Sequence, residues 1–98
     1  MSETFLEINL DSNQCVQCNI KSRDEIEDAI DDALKNAELG EVTGGGGGGG
    51  RWNIDVDVAT DRFEEALRLL RSVLRRINVP SSTMIKRYEP TTILYDIV

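Results

Sequence analysis

Two stretches of this 98-residue chain carry apolar residues at helical spacing, and neither helix would be stable alone in water. The first stripe is Ile26, Ala29, Ile30, Ala33, Leu34 and Ala37; the second is Phe63, Ala66, Leu67, Leu70, Val73, Leu74 and Ile77. Each stripe must be covered, and one shared surface covers both. The segment "NIDVDV" offers half of that surface, with Ile54, Val56 and Val58 on one side and Asn53, Asp55 and Asp57 on the other. "FLEINL" offers the other half, with Leu6, Ile8 and Leu10 opposed to Phe5, Glu7 and Asn9.

The boundaries follow from capping and breaking residues. "SRDE", Ser22 to Glu25, predicts a capping box at the start of the first helix, and Gly40 predicts its stop. Thr60 or Asp61 opens the second helix, and Pro80 with the serines after it ends the segment. "GEVTG" reads as a short strand, while "STMIKRY" and "TTILYDIV" read as closing strands broken at Pro90. "DSN" reads as a turn. After it "CVQCNI", with Val16, Cys18 and Ile20 on one side, is either a short second strand or a continuation of the first past an irregularity.

This order of elements predicts a single α+β domain over residues 1–98. Two helices lie on one face of an antiparallel-rich sheet in the ferredoxin-like βαββαβ arrangement, with room for extra strands at either end. In it the first strand and the strand after the glycines lie side by side at the centre. With 40% of its residues apolar, the chain has enough to fill such a core.

Seven glycines, Gly44 to Gly50, precede Arg51 and the only tryptophan, Trp52. A phosphate loop would end in Lys-Ser/Thr and open into a helix, whereas this run enters a strand. As a domain linker it would separate two halves that each hold too little for a core. What remains is a flexible hairpin loop over 44–50, with some glycines inside the strand ends, able to order on meeting a partner.

Charge and composition remove whole classes of function. The chain contains no histidine, so the commonest general base and metal ligand are both missing. Its net charge is -7, and residues 1–50 carry 11 acidic against 3 basic side chains. Such a surface is repelled by a phosphate backbone, so nucleic acid is not an expected partner and a basic protein is. No run approaches the roughly 20 apolar residues that span a bilayer. "MSETFLEINL" has no basic start and no apolar stretch, so the expectation is a cytoplasmic protein without a membrane partner.

Four groups are candidates for chemistry. "CVQC", Cys15 to Cys18, has the spacing used for zinc and for thiol exchange. Zinc would need two further ligands that the chain lacks, and redox work would need a helix start, so two reduced thiols are expected. Glu7, Asp55 and Asp57 should share the sheet face away from the helices, with Asn9 and Asn53; that set suits a magnesium ion, an acidic docking face or plain solvation. Arg68, Arg71 and Arg75 line one side of the second helix, suited to a phosphate, an acidic partner or nearby carboxylates. Trp52, beside the glycines and read as outside the inward alternation, is a candidate exposed anchor for a partner, with Arg51 next to it; the alternative is a core or edge-packing role.

"GEVTGGG…NIDVDV…ALRLLRSVL…P", over roughly residues 39–80, resembles a loose group of small bacterial ferredoxin-like proteins in which a "GEV-GGG" strand leads through a hairpin into a "DI-V" strand and a helix. Some of these look like immunity proteins of polymorphic toxin systems. The uninterrupted glycine run departs from that pattern, and the resemblance implies no catalytic residue. The expectation is therefore a non-enzymatic protein-interaction module without a cofactor, an immunity protein that neutralises a basic toxin. Its partner-binding residues would be Trp52, Arg51, Glu7, Asp55 and Asp57, and it would be a monomer or a homodimer. The alternatives are a ligand-sensing ACT-like regulatory domain acting as a dimer, and a metal-dependent enzyme.

Overall fold

The computed structural model describes residues 2–98. Strand β1 (Glu3–Asp11) is followed by a short helix α1 (Ser12–Gln17), helix α2 (Arg23–Asn36), and strands β2 (Gly40–Gly48) and β3 (Arg51–Ala59). A single 3-10 turn (Thr60–Arg62) leads into helix α3 (Phe63–Arg76), and β4 (Met84–Arg87) and β5 (Ile93–Asp96) close the chain. The five strands form one sheet in the order β2-β3-β1-β4-β5, antiparallel throughout. This is the ferredoxin-like arrangement, with α1 and β5 added to it.

Alternation along β1 and β3 determines which side of the sheet is dry. Leu6, Ile8, Leu10, Ile54, Val56 and Val58 are buried, and Ile85 of β4 extends the row. Ile26, Ile30 and Leu34 of α2 and Ala66, Leu70, Val73 and Leu74 of α3 close over them. Burying each such Leu or Ile contributes roughly 1.5–3 kcal/mol, which is why the two helical stripes determine where the sheet must lie.

All three helices end the same way. Asn19, Glu38 and Asn78 adopt left-handed backbone with φ of 67°, 56° and 64°. In each case the next residue turns its N–H back into the last helical turn: Ile20 to Cys15 O, Leu39 to Leu34 O and Val79 to Leu74 O. That ending satisfies carbonyls that the helix leaves open, and the returning residue is apolar and buried each time. The stop of α2 is therefore Glu38, not Gly40. Gly40 serves another purpose: a Cβ there would stand 2.1 Å from the Asp57 carbonyl oxygen, so only glycine permits this approach of β2 to β3. Ser22 does occupy the N-cap of α2, but its side chain makes no capping hydrogen bond.

Three other expectations are corrected. "SNQCVQ" is a helix rather than a strand, because Asp11 accepts the Gln14 N–H at 3.0 Å and starts a turn that Asn19 closes. Cys15, not Val16, consequently faces the core. Helix α3 begins at Phe63, after the 3-10 turn that Thr60 and Asp61 occupy.

The glycine run is the third correction. Gly44 to Gly48 belong to β2 and pair with β3, and only Gly49 and Gly50 form the connection. Positive φ at both, 61° and 81°, makes a two-residue type I′ turn whose twist matches the flanking strands. Glycine in a strand interior costs roughly 0.5–1 kcal/mol relative to alanine, so local preference does not explain this strand. Pairing with the apolar, well-determined β3 imposes it. Thr43 is the extra residue of a β-bulge between Val42 and Gly44.

Candidate functional site

The sheet face away from the helices is built from the alternate residues of the same strands. Register places Glu7 of β1 opposite Asp55 of β3, Asn9 opposite Asn53, Phe5 opposite Asp57 and Asp11 opposite Arg51. From the edge strand Glu41 stands opposite Asp57, and Gly44 opposite Asp55. From the other side Lys86 of β4 stands opposite Glu7, and Met84 opposite Asn9. Glu7, Asp55 and Asp57 therefore do share one face, with Asn9 and Asn53 in the adjoining row.

Two like-charged cross-strand pairs, Glu7–Asp55 and Glu41–Asp57, lie in neighbouring rows of this face. Like charges directly opposite each other destabilise a sheet by a few tenths of a kcal/mol to about 1 kcal/mol per pair. Glu7 is partly compensated: Tyr88 Oη donates to its Oε1 at 2.8 Å, and Lys86 approaches from β4. That hydrogen bond, ahead of partial burial and the Glu7 and Asp55 charges, raises the Tyr88 pKa above its ordinary 10.0. Lys86 Nζ lies 4.7 Å from the centre of the Tyr88 ring, and Tyr88 packs at 6.0 Å from Phe5. Asp55 accepts from Asn53 Nδ2 at 3.2 Å. The face is thus acidic along β3 and β2 and carries two exposed aromatic rings and one cation along β1 and β4.

Arg51 is exposed at the far end of this face. It borders a notch of about 230 Å³ where Asp11, Gln14 and Ser82 also meet. Trp52 does not belong here. It stands opposite Leu10, on the inner side of the sheet, half-buried against the core, because the alternation of β3 begins one step earlier than Ile54. The indole therefore supports the hairpin from within, while Arg51 points outward.

The remaining candidates separate. Cys15 is buried within α1 and Cys18, the C-cap of that helix, is half-buried; both are free. Burial, with smaller contributions from Cys18 and Asp11, pushes the Cys15 thiol up to about 11, the reverse of what a nucleophilic cysteine needs. Arg71 donates to the Asp96 carbonyl at 2.8 Å, while Arg68 and Arg75 remain exposed, so the arginines do not converge on one ligand. Among the described residues, no group of three or more His, Cys, Asp or Glu side chains has the geometry to hold a metal ion. Among the same residues, no helix is long and apolar enough to cross a membrane.

The sequence pattern carries no signal that brings Tyr88, Lys86 and Glu41 to this face. Glu41 sits two residues before the bulge at Thr43, so its partner depends on a register that the glycines do not encode. Tyr88 lies past the end of β4, where the backbone path alone decides what it meets. Comparisons with protein-family models, with curated proteins and with solved structures find no match to this chain.

Proposed function

We propose that the protein is a non-enzymatic interaction module whose acidic sheet face binds a basic protein. The observation that carries this reading is the pair of like-charged rows, Glu7–Asp55 and Glu41–Asp57, on one face, with no ion pair to Asp55 or Asp57 among the described residues. A lysine- or arginine-rich partner relieves that repulsion on contact, and the exposed Phe5 and Tyr88 rings beside it supply apolar contact area. A net charge of -7 steers such a partner at long range. The specific form of the reading, an immunity protein that occupies a basic toxin, adds the resemblance carried by the glycine hairpin and the strand after it.

The test is kinetic. Association with a candidate basic protein, in the first instance one encoded beside this chain, is followed by stopped flow across a series of salt concentrations. The on-rate should fall at least about tenfold between low and high salt, as screening shortens the reach of the acidic face. Asp55→Asn with Asp57→Asn should slow association at low salt and flatten the salt dependence. The same double variant should not lower the melting temperature, since it removes a repulsion. Equal on-rates for wild type and variant at low salt would end the proposal.

A further inference from the structure

The free edge of β2 is divided in two. Along Gly40–Val42 it is closed: Asp31 of α2 reaches over the edge and accepts the Val42 N–H at 2.9 Å, where the carbonyl of another strand would otherwise sit. Lys35 holds that carboxylate from behind at 2.8 Å. Beyond the bulge at Thr43 no comparable side-chain hydrogen bond to the strand occurs among the described residues. Gly44, Gly45, Gly47 and Gly48 are exposed and carry no lysine, proline or inward charge, the usual devices that blunt an edge.

The direction of the backbone groups follows from the hairpin. Gly48 and Arg51 close a two-residue turn and so bond to each other, and antiparallel ladders alternate. Gly46 therefore also bonds inward to β3, while Gly45 and Gly47 turn their N–H and C=O groups to the free edge. We infer that Gly44–Gly48 is a self-pairing edge, and that two copies of this chain join antiparallel about a two-fold axis at Gly46. Gly45 then pairs with Gly47 of the second copy and Gly47 with Gly45 of the second copy, and the two sheets become one.

Three observations favour a second copy as the occupant. First, the set of free groups is symmetric about Gly46, as an isologous contact requires. Second, α2 runs back from Gly45 toward Gly40, since Arg23 and Glu27 lie at Gly45 and Asp31 lies at Val42. The two α2 helices then diverge from the axis and do not compete for the same strand. A register centred nearer Val42 would superpose them and displace Asp31. Third, the side chains beside the glycines leave room for a second backbone but not for a side chain on either glycine. Trp52 Nε1 stands 3.7 Å from where a Gly47 Cβ would be, and Glu27 Oε1 stands 3.0 Å from where a Gly45 Cβ would be. With Gly47 facing Gly45 of the second copy, each Trp52 ring lies beside the Arg23–Glu27 ion pair (2.7 Å) of the other copy, twice by symmetry. Any side chain on either glycine would fill the space between them. This inference is independent of the acidic face, which lies on the other side of the sheet and stays open in the dimer.

The contact is five glycines long, shorter than a stable standard-size interface requires, so the dimer is expected to be weak and to form only at high protein concentration. Sedimentation equilibrium should therefore show a shift from 10.9 kDa toward twice that mass as concentration rises. The register is tested by cross-linking in a Cys18→Ser background. Gly46→Cys places two thiols opposite each other at the axis. The Cα atoms of a non-hydrogen-bonded pair are about 4.5 Å apart, within disulfide range. Gly44→Cys faces Gly48 of the second copy and serves as the control. Rapid, complete oxidation of Gly46→Cys to a covalent dimer, with Gly44→Cys remaining largely monomeric, is the expected result. A wild-type monomer at about millimolar concentration overturns the inference. So does a dimer that Gly46→Cys fails to lock, or equal cross-linking of the two variants.

Discussion

Glu38 and Gly40 lie two residues apart at the end of α2, and their substitutions should act in opposite directions. Glu38 is held at φ 56°, a conformation that costs a side-chain-bearing residue roughly 1–2 kcal/mol. Glu38→Gly removes that strain and loses about 0.5–1 kcal/mol through the greater freedom of the unfolded chain. The net effect should be a gain of roughly 0.5–1 kcal/mol, because the Glu38 carboxylate faces water and has only a screened attraction to Arg62. Gly40→Ala does the reverse. Its Cβ would lie 2.1 Å from Asp57 O and 3.0 Å from Val58 Cα, both backbone atoms that a rotamer change cannot move. Relief requires β2 to separate from β3 by about an ångström, and the cost belongs at the upper end of overpacking, about 3 kcal/mol. For a domain of this size 1 kcal/mol moves the melting temperature by about 4–8 °C. Scanning calorimetry or thermal circular dichroism should therefore show Glu38→Gly a few degrees above wild type. Gly40→Ala should melt more than about 10 °C below it. A neutral Gly40→Ala together with a destabilising Glu38→Gly would mean that Gly40, not Glu38, stops the helix, and would refute the assignment of the two roles.

Two further outcomes follow from the thiols and from Asp31. At pH 8, iodoacetamide should modify Cys18 well before Cys15, whose pKa near 11 and burial leave little thiolate; mass spectrometry of the time course reads the order, and equal rates would contradict the burial of α1. Hydrogen bonding from Lys35, then from the Val42 N–H, holds the Asp31 carboxyl below its ordinary 3.8. A depressed carboxylate contributes stability above the unfolded pKa that is lost as pH falls through the folded one. The Asp31 share should therefore disappear only below about pH 4. Urea melts at several pH values should show Asp31→Asn less stable than wild type at pH 7 and converging with it near pH 2; a constant difference would show that the carboxylate does not act through its charge.

The candidate face illustrates how far pattern reaches. Glu7, Asp55 and Asp57 come together from alternation and from the ferredoxin-like order that sets β1 beside β3; each strand buries three apolar residues, and a one-residue slip would expose all of them. Trp52 takes the core-packing role of the two open to it, because position 52 has the parity of Ile54 and the alternation of β3 extends to it. Helix α1 escaped because a six-residue helix cannot display a period, and its signals were only Asp11 as a cap and Asn19 as a left-handed stop.

The amino-acid order by itself determined two helical stripes, two alternating strands and hence the dry and wet sides of the sheet, since those depend on transfer of side chains from water and on nothing remote. Only the tertiary structure decided what the glycines became. A run without side chains has no face and no period, so its conformation had to be imposed by neighbours: β3 through backbone hydrogen bonds, α2 through Asp31 at one half of the edge, and a type I′ turn at Gly49 and Gly50.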